Sequence, residues 1–310
     1  MELSLTMLTA LAGRALVAGT PLLLGTLGEI LTERSGIMNL GVEGIMAAGA
    51  VTGFSVALTT GSPWLGVLAA IGCGVLLGLL HAVVTVTLWA NQIVAGLALT
   101  MFGLGLSSLI GKPFVGRPLP QAIGEWRIPI LADVPVIGEC LFARDPIFYL
   151  GLALSGLLWF LLFRTRWGIA IRSCGEAPLA STTCGVDVQW VRYLCVMAGG
   201  GFSGLAGAYL SLVYNPSWVE GMSAGRGWIV IALTIFAFWN PLRAVIGAYA
   251  FGGIYVVQYS LQSWNISPNL LMTLPYVLTL AALMVTSSRA NRHLAAPAAL
   301  GQPFFPGEKN

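Results

Sequence analysis

Few side chains in this sequence can do chemistry, so their spacing decides what is open to them. Gly105-Leu106-Ser107-Ser108-Leu109-Ile110-Gly111-Lys112 has the outline of a phosphate-binding loop. Such a loop follows a strand, sets four residues between its glycines and supplies Ser or Thr to magnesium after the lysine. Here five residues separate the glycines, Pro113 follows the lysine, and the segment ends an apolar run. Gly199-Gly200-Gly201-Phe202-Ser203-Gly204 fits Gly-x-Gly-x-x-Gly by letter, but small residues continue as Gly200, Gly204 and Ala208. That four-residue spacing lets transmembrane helices approach closely. His81 and His293 lie far apart, and neither has a carboxylate at ligand spacing. The cysteines Cys73, Cys140, Cys174, Cys184 and Cys195 form no Cys-x-x-Cys. We therefore expect no catalytic residues, no metal site and no cofactor.

The dense polar stretch is Gly28 to Gly44, which holds Glu29, Glu33, Arg34, Asn39 and Glu43. An ionised side chain costs at least about 2.5 kcal/mol at the bilayer centre. Glu29, Glu33 and Arg34 read as an interfacial turn. Asn39 and Glu43, four apart and so on one helical face, fall further into the next apolar run. They need polar partners or a water-filled cavity, as a functional or a structural network. Asn91, Gln92, Asn215, Gln258 and Gln262 complete the polar residues expected at membrane depth. For Gln258 and Gln262, lining a pathway and an interhelical hydrogen bond both stay open.

The elements that must hold these residues follow from composition. The 310 residues include 15 Lys+Arg and 12 Asp+Glu, or 9% charged, against 57% hydrophobic, and mean hydropathy is +0.84. Soluble domains carry roughly 25% charged residues. The composition excludes most soluble enzymes, nucleic-acid binders and disordered chains, and leaves an all-α polytopic membrane protein in a lipid bilayer. A crossing needs about 20 apolar residues. Nine runs qualify, near 11–31, 37–60, 64–88, 92–111, 147–163, 193–214, 227–240, 244–262 and 269–287, a count good to about one. The run before Asn240-Pro241 is short enough to be re-entrant. Trp64, Trp89, Trp126, Trp239 and Trp264 fall near span ends, where aromatic belts sit.

Basic residues collect on the cytoplasmic side of membrane proteins. The loop 164–192 carries Arg164, Arg166, Arg172 and Arg192 against Glu176 and Asp187. The tail 289–310 carries Arg289, Arg292 and Lys309 against Glu308, whereas the Pro-rich loop 112–146 balances its charges. We place the first two inside and the third outside, which makes 1–288 one transmembrane domain with a cytoplasmic C-terminus. The N-terminus then falls outside.

Glu33-Arg34-Ser35-Gly36-Ile37-Met38-Asn39-Leu40-Gly41-Val42-Glu43-Gly44 resembles the signature of permease subunits of bacterial ABC importers. The group in question includes branched-chain amino acid, simple-sugar and nucleoside permeases. The Asn39-Leu40-Gly41-Val42-Glu43-Gly44 form is most similar to the nucleoside branch. The likeness continues through Arg172-Ser173-Cys174-Gly175-Glu176-Ala177-Pro178 and Gly185-Val186-Asp187-Val188. It recurs at Gly225-Arg226-Gly227-Trp228-Ile229 and Phe238-Trp239-Asn240-Pro241. Cys174-Gly175 and Ser181-Thr182-Thr183-Cys184 depart from a run that is usually Ala-rich.

The resemblance implies a type II-like importer fold in the bacterial inner membrane. It implies an ATP-binding cassette subunit, a second permease (a paralogue) and an extracytoplasmic substrate-binding protein as partners. That protein would deliver solute near loop 112–146 and Tyr214–Trp218. It further implies a cytoplasmic coupling helix that transmits ATPase closure, with Arg172, Gly175, Glu176, Ala177, Pro178 and Gly185 in its loop. Gly175 to Ala180 is expected to form that helix, with Glu176 in its first turn. Sugars and branched-chain amino acids stay open as solutes. An ion-coupled carrier would want a relay of intramembrane carboxylates, for which Glu43 alone is thin. A channel would want charge rings or a filter loop, and the sequence offers neither.

Overall fold

The computed structural model describes residues 2–129, 131, 132, 137–261, 273, 277, 280, 281, 284 and 296–305. The expected ninth span, 269–287, and Gln262, Trp264 and His293 therefore lie in whole or in large part outside the described residues. Long helices dominate: α1 (Glu2–Arg34), α2 (Val42–Thr60), α3 (Pro63–Ala82) and α4 (Gln92–Gly111). After a small hairpin, β1 (Trp126–Arg127) and β2 (Ala143–Arg144) around α5 (Ile137–Leu141), comes α6 (Pro146–Arg164). Next are α7 (Arg166–Glu176), α8 (Pro178–Thr183), α9 (Val188–Tyr209), α10 (Arg226–Phe236) and α11 (Pro241–Leu261). Single turns of π-helix extend α3 through Val83–Thr87 and α9 through Leu210–Tyr214.

Among the described residues, six helices are long and apolar enough to cross a membrane: Thr9–Arg34, Val42–Thr60, Pro63–Thr87, Gln92–Phe114, Pro146–Arg164 and Val188–Tyr214. The expected run 227–240 is shorter than a crossing, because α10 has 11 residues and ends at Phe236. The six sort into two layers. In α1, α2 and α9 the most apolar stretch is 83%, 72% and 78% buried, with mean hydropathy 1.5, 1.4 and 1.4. In α3, α4 and α6 it is 39%, 28% and 33% buried, with mean hydropathy 2.4, 2.1 and 2.0. The outward helices are the more apolar, as a lipid solvent demands. The inner ones pack through small residues, which let helix backbones approach. A Cβ on Gly49 of α2 would stand 2.7 Å from the Gly204 carbonyl of α9.

Polar side chains start several helices by accepting from first-turn N–H groups. Asn91 accepts from Ile93 and Val94, Asp145 from Phe148, Thr165 from Gly168 and Asp187 from Trp190. Asp145 also accepts from the Tyr209 hydroxyl at 2.8 Å. Burial pushes the Asp145 carboxyl above its ordinary range, and the Tyr209 bond pulls it back.

Candidate functional site

The polar stretch 28–44 is not a single turn. α1 continues to Arg34, so Glu29 and Glu33 stand on one helix and are buried at 1% and 2% exposure. This corrects the expectation of a turn at these residues. The chain then folds back alongside α1, with Gly36 N–H on the Glu33 carbonyl and Asn39 N–H on Glu29 Oε1 at 3.1 Å. The linker from Ser35 to Gly41 is itself largely buried by protein. Asn39 precedes α2, so it and Glu43 do not share a helical face as their spacing implied. Its Oδ1 accepts from Gly41 N–H at 2.9 Å, and its buried Nδ2 has no hydrogen-bond partner among the described residues.

Glu43, in the first turn of α2, holds the start of α10. Its Oε1 accepts from Ser223 Oγ at 2.5 Å and Gly225 N–H at 3.0 Å, and its Oε2 from Gly227 N–H at 2.6 Å. An anion suits the positive end of a helix, whose first N–H groups lack partners. Gly225 enters the helix at φ 78°, and a Cβ on Gly227 would sit 2.5 Å from Glu43 Cα. Arg226, at 6% exposure, lies between the Tyr214 and Tyr255 rings at 5.1 and 5.2 Å.

A second cluster closes the far end of α10. The Trp239 indole N–H donates to Glu33 Oε2, and the Arg34 guanidinium donates to the Trp239 and Phe238 carbonyls at 3.2 and 3.3 Å. Phe238 and Trp239 have φ of 52° and 53°, rare for side chains of this size. These bonds hold that turn. Trp239 is 5% exposed, so it is no belt residue, whereas Trp64, Trp89 and Trp126 are exposed. Sequence reasoning missed this cluster because its partners are some 200 positions apart.

The other expected pathway residues are dispersed. Asn91 is an exposed cap of α4. Gln92 is buried, accepting from Met38 N–H at 2.7 Å and donating to the Gln302 carbonyl at 3.4 Å. Asn215 is exposed beyond the α9 π-turn, and Gln258 is 5% exposed with no partner for Oε1 among the described residues. A cavity of about 510 Å³ lies elsewhere, lined by Arg14, Val17, Ala18, Glu125, Arg144, Tyr214 and Val256. Of these, Glu125, Arg144 and Tyr214 fall in the expected delivery segments 112–146 and 214–218. The segment 214–218 pairs with the loop 112–146 through Leu119 N–H on the Pro216 carbonyl and a Pro118–Ser217 bridge, which joins the two into one seam.

At the opposite end, the loop 164–192 is two helices. Glu176 ends α7 and does not begin α8, so the expected acidic first turn is absent. Ala177 breaks the helix at φ −147°, and Pro178 starts α8 at its N-terminal position, where a missing N–H costs nothing. Gly185, at φ 83°, turns the chain out of α8. Arg172 lies over the Phe163 ring at 5.3 Å. Leu179 on α8 is 40% exposed. Cys174, buried against this loop, has its thiol pushed up to about 11, so it is an inert packing group.

Residues 11–283 match the family described as "Branched-chain amino acid transport system / permease component". The chain belongs to that permease family. It is 39% identical over 93% of its length to a Haloferax volcanii protein named "Putative glucose ABC transporter permease protein", covering 94% of it. It is 35% identical to the guanosine ABC transporter permease of Bacillus subtilis, over 97% of this chain and 98% of that one. The nucleoside ABC transporter permease of Lactococcus lactis subsp. cremoris is 33% identical, over 91% and 94%. A solved ABC transporter in an inward-facing conformation shares the fold, at TM-score 0.50 and 16% identity over 89% of this chain and 86% of that one. The protein is thus a helical, multi-pass permease of an ABC importer, a transport component and not a catalytic one.

Proposed function

We propose that this permease carries nucleosides inward across the bacterial inner membrane, driven by a separate ATP-binding subunit that docks on α8. The observation that carries the solute assignment is the full-length similarity to two permeases named for guanosine and nucleosides. The cavity adds chemistry of the right kind. The Tyr214 ring offers a stacking face for a base, and Arg14, Arg144 and Glu125 offer donors and acceptors for ribose and base edges. A binding protein would release solute onto the seam of loop 112–146 with 214–218, and a paralogous permease would complete the path. Asn39 and Gln258, each with a buried amide atom lacking a partner among the described residues, are the pathway residues favoured by this geometry. The C-terminus and α8 share the cytoplasmic side. Arg172, Gly175, Glu176, Ala177, Pro178 and Gly185 shape and orient α8, and the exposed Leu179 presents it.

A second reading, a monosaccharide as solute, rests on the 39% identity to the Haloferax volcanii protein. Competition in the reconstituted importer separates the two. Guanosine and adenosine at tenfold excess should suppress labelled nucleoside uptake while glucose leaves it unchanged. Glucose uptake without nucleoside uptake would establish the sugar reading. Uptake that persists when the ATPase nucleotide site is inactivated would overturn both.

A further inference from the structure

We infer that the segment 296–305 is a positioning strap that makes α7, α9, α4 and the α1–α2 linker move together when the ATPase subunit pushes on α8. The inference rests on the docking role proposed for α8. Six contacts define the strap. Ala298 N–H donates to Glu176 Oε2 at 3.1 Å, and Ala299 N–H to the Gly175 carbonyl at 2.9 Å, so the strap is bonded to the end of α7. Gly301 N–H donates to the Gly36 carbonyl at 3.3 Å, which ties it to the linker between α1 and α2. The Gln302 carbonyl accepts from Gln92 at 3.4 Å, at the first residue of α4. Phe304, 8% exposed within the main apolar core, lies under the Arg192 guanidinium of α9 at 5.8 Å. Phe305 meets Trp89 beyond the α3 π-turn, with ring centroids 5.2 Å apart.

The bonded elements are the ones a coupling stroke must cross. α8 joins α7 through the single residue Ala177, so a push on α8 reaches Gly175 and Glu176 first. From there, direct covalent continuity leads only to α6 and α9. The route to Asn39 and Glu43 runs through Gly36, whose backbone packs directly on Gly175, a Cβ on Gly36 standing 3.2 Å from Gly175 Cα, and the strap fastens that contact by main-chain hydrogen bonds to both. Arg192 reinforces the joint by donating to the Ser35 carbonyl at 3.2 Å while covering Phe304. A segment that only sealed the surface would not need a phenylalanine in the core and three of its N–H groups on three different acceptors.

Phe304→Ala in the assembled importer tests this. A positioning role predicts an intact complex whose ATP hydrolysis stays within twofold of wild type while uptake falls about tenfold. The ATP spent per solute then rises about tenfold, and Phe304→Leu, which refills the core, restores most of it. Hydrolysis and uptake falling in proportion, or neither changing, would overturn the strap. If Phe304→Ala fails to assemble, Phe305→Ala at the 38% exposed neighbour is read instead, with a ratio raised about threefold expected and an unchanged ratio overturning it. Wild-type importer measured alongside separates the premises, since ATP-independent uptake there would remove the coupling reading itself.

Discussion

Glu43 and the Glu29–Glu33 pair are carboxyl groups of one hairpin, buried alike at 4%, 1% and 2% exposure, yet their surroundings differ in kind. Glu43 faces the start of α10 and receives three donors, two of them backbone N–H groups. Glu29 receives one backbone N–H, and Glu33 receives one indole N–H. Glu43 is therefore the clamp of a fixed joint, held at both oxygens by a helix end. The pair is a joint whose partners are single and whose far side is a turn of positive φ at Phe238 and Trp239. Both joints sit on α10, one at each end, so this short helix is pinned to the α1–α2 hairpin along its whole length.

The comparison breaks most visibly at Glu43. Glu43→Ala strands Ser223 Oγ and the N–H groups of Gly225 and Gly227 in a buried site. Each stranded donor costs about 1–3 kcal/mol, so we expect a loss of about 4 kcal/mol. Thermal unfolding of the purified permease in detergent should show the midpoint collapse, with little complex recovered. A variant as stable as wild type would show that α10 is held by packing alone.

How much of this was legible in sequence depends on how local each feature is. Span positions from α1 to α6 follow from apolar runs, whereas Asn91, expected at membrane depth, turns out to be an exposed cap of α4. The function of Glu43 was half legible: its need for partners was clear, but Ser223, Gly225 and Gly227 lie about 180 positions away. Spacing misled at Asn39, because i and i+4 share a face only inside one helix, and α2 begins at Val42. Glu176 misled for the converse reason, since Pro178 fixes the start of α8 and leaves Glu176 to close α7. The strap was illegible because nothing in Ala298, Gly301 or Phe304 names its partner.

A smaller effect is expected on the other joint. Trp239→Phe keeps the ring in its buried place and removes only the N–H that Glu33 accepts. Losing one donor to a buried carboxyl group should cost about 2 kcal/mol, roughly half the Glu43→Ala effect. The same unfolding measurement reads it, and a cost equal to that of Glu43→Ala would erase the distinction between the two joints.

Asn91 supplies the control at the low end, because it performs the Glu43 task with a neutral side chain in an exposed place. Its Oδ1 accepts from Ile93 and Val94 N–H groups at 3.0 and 3.1 Å at the start of α4. Water or headgroup oxygens can replace it there, so Asn91→Ala should cost about 1 kcal/mol and leave uptake within twofold of wild type. If Asn91→Ala instead matched Glu43→Ala, burial and charge would not be what sets the buried clamp apart. The graded series of a buried anionic clamp, a buried single donor and an exposed neutral cap thus measures what the interior of this bundle adds to one simple bond, a helix N–H on an oxygen.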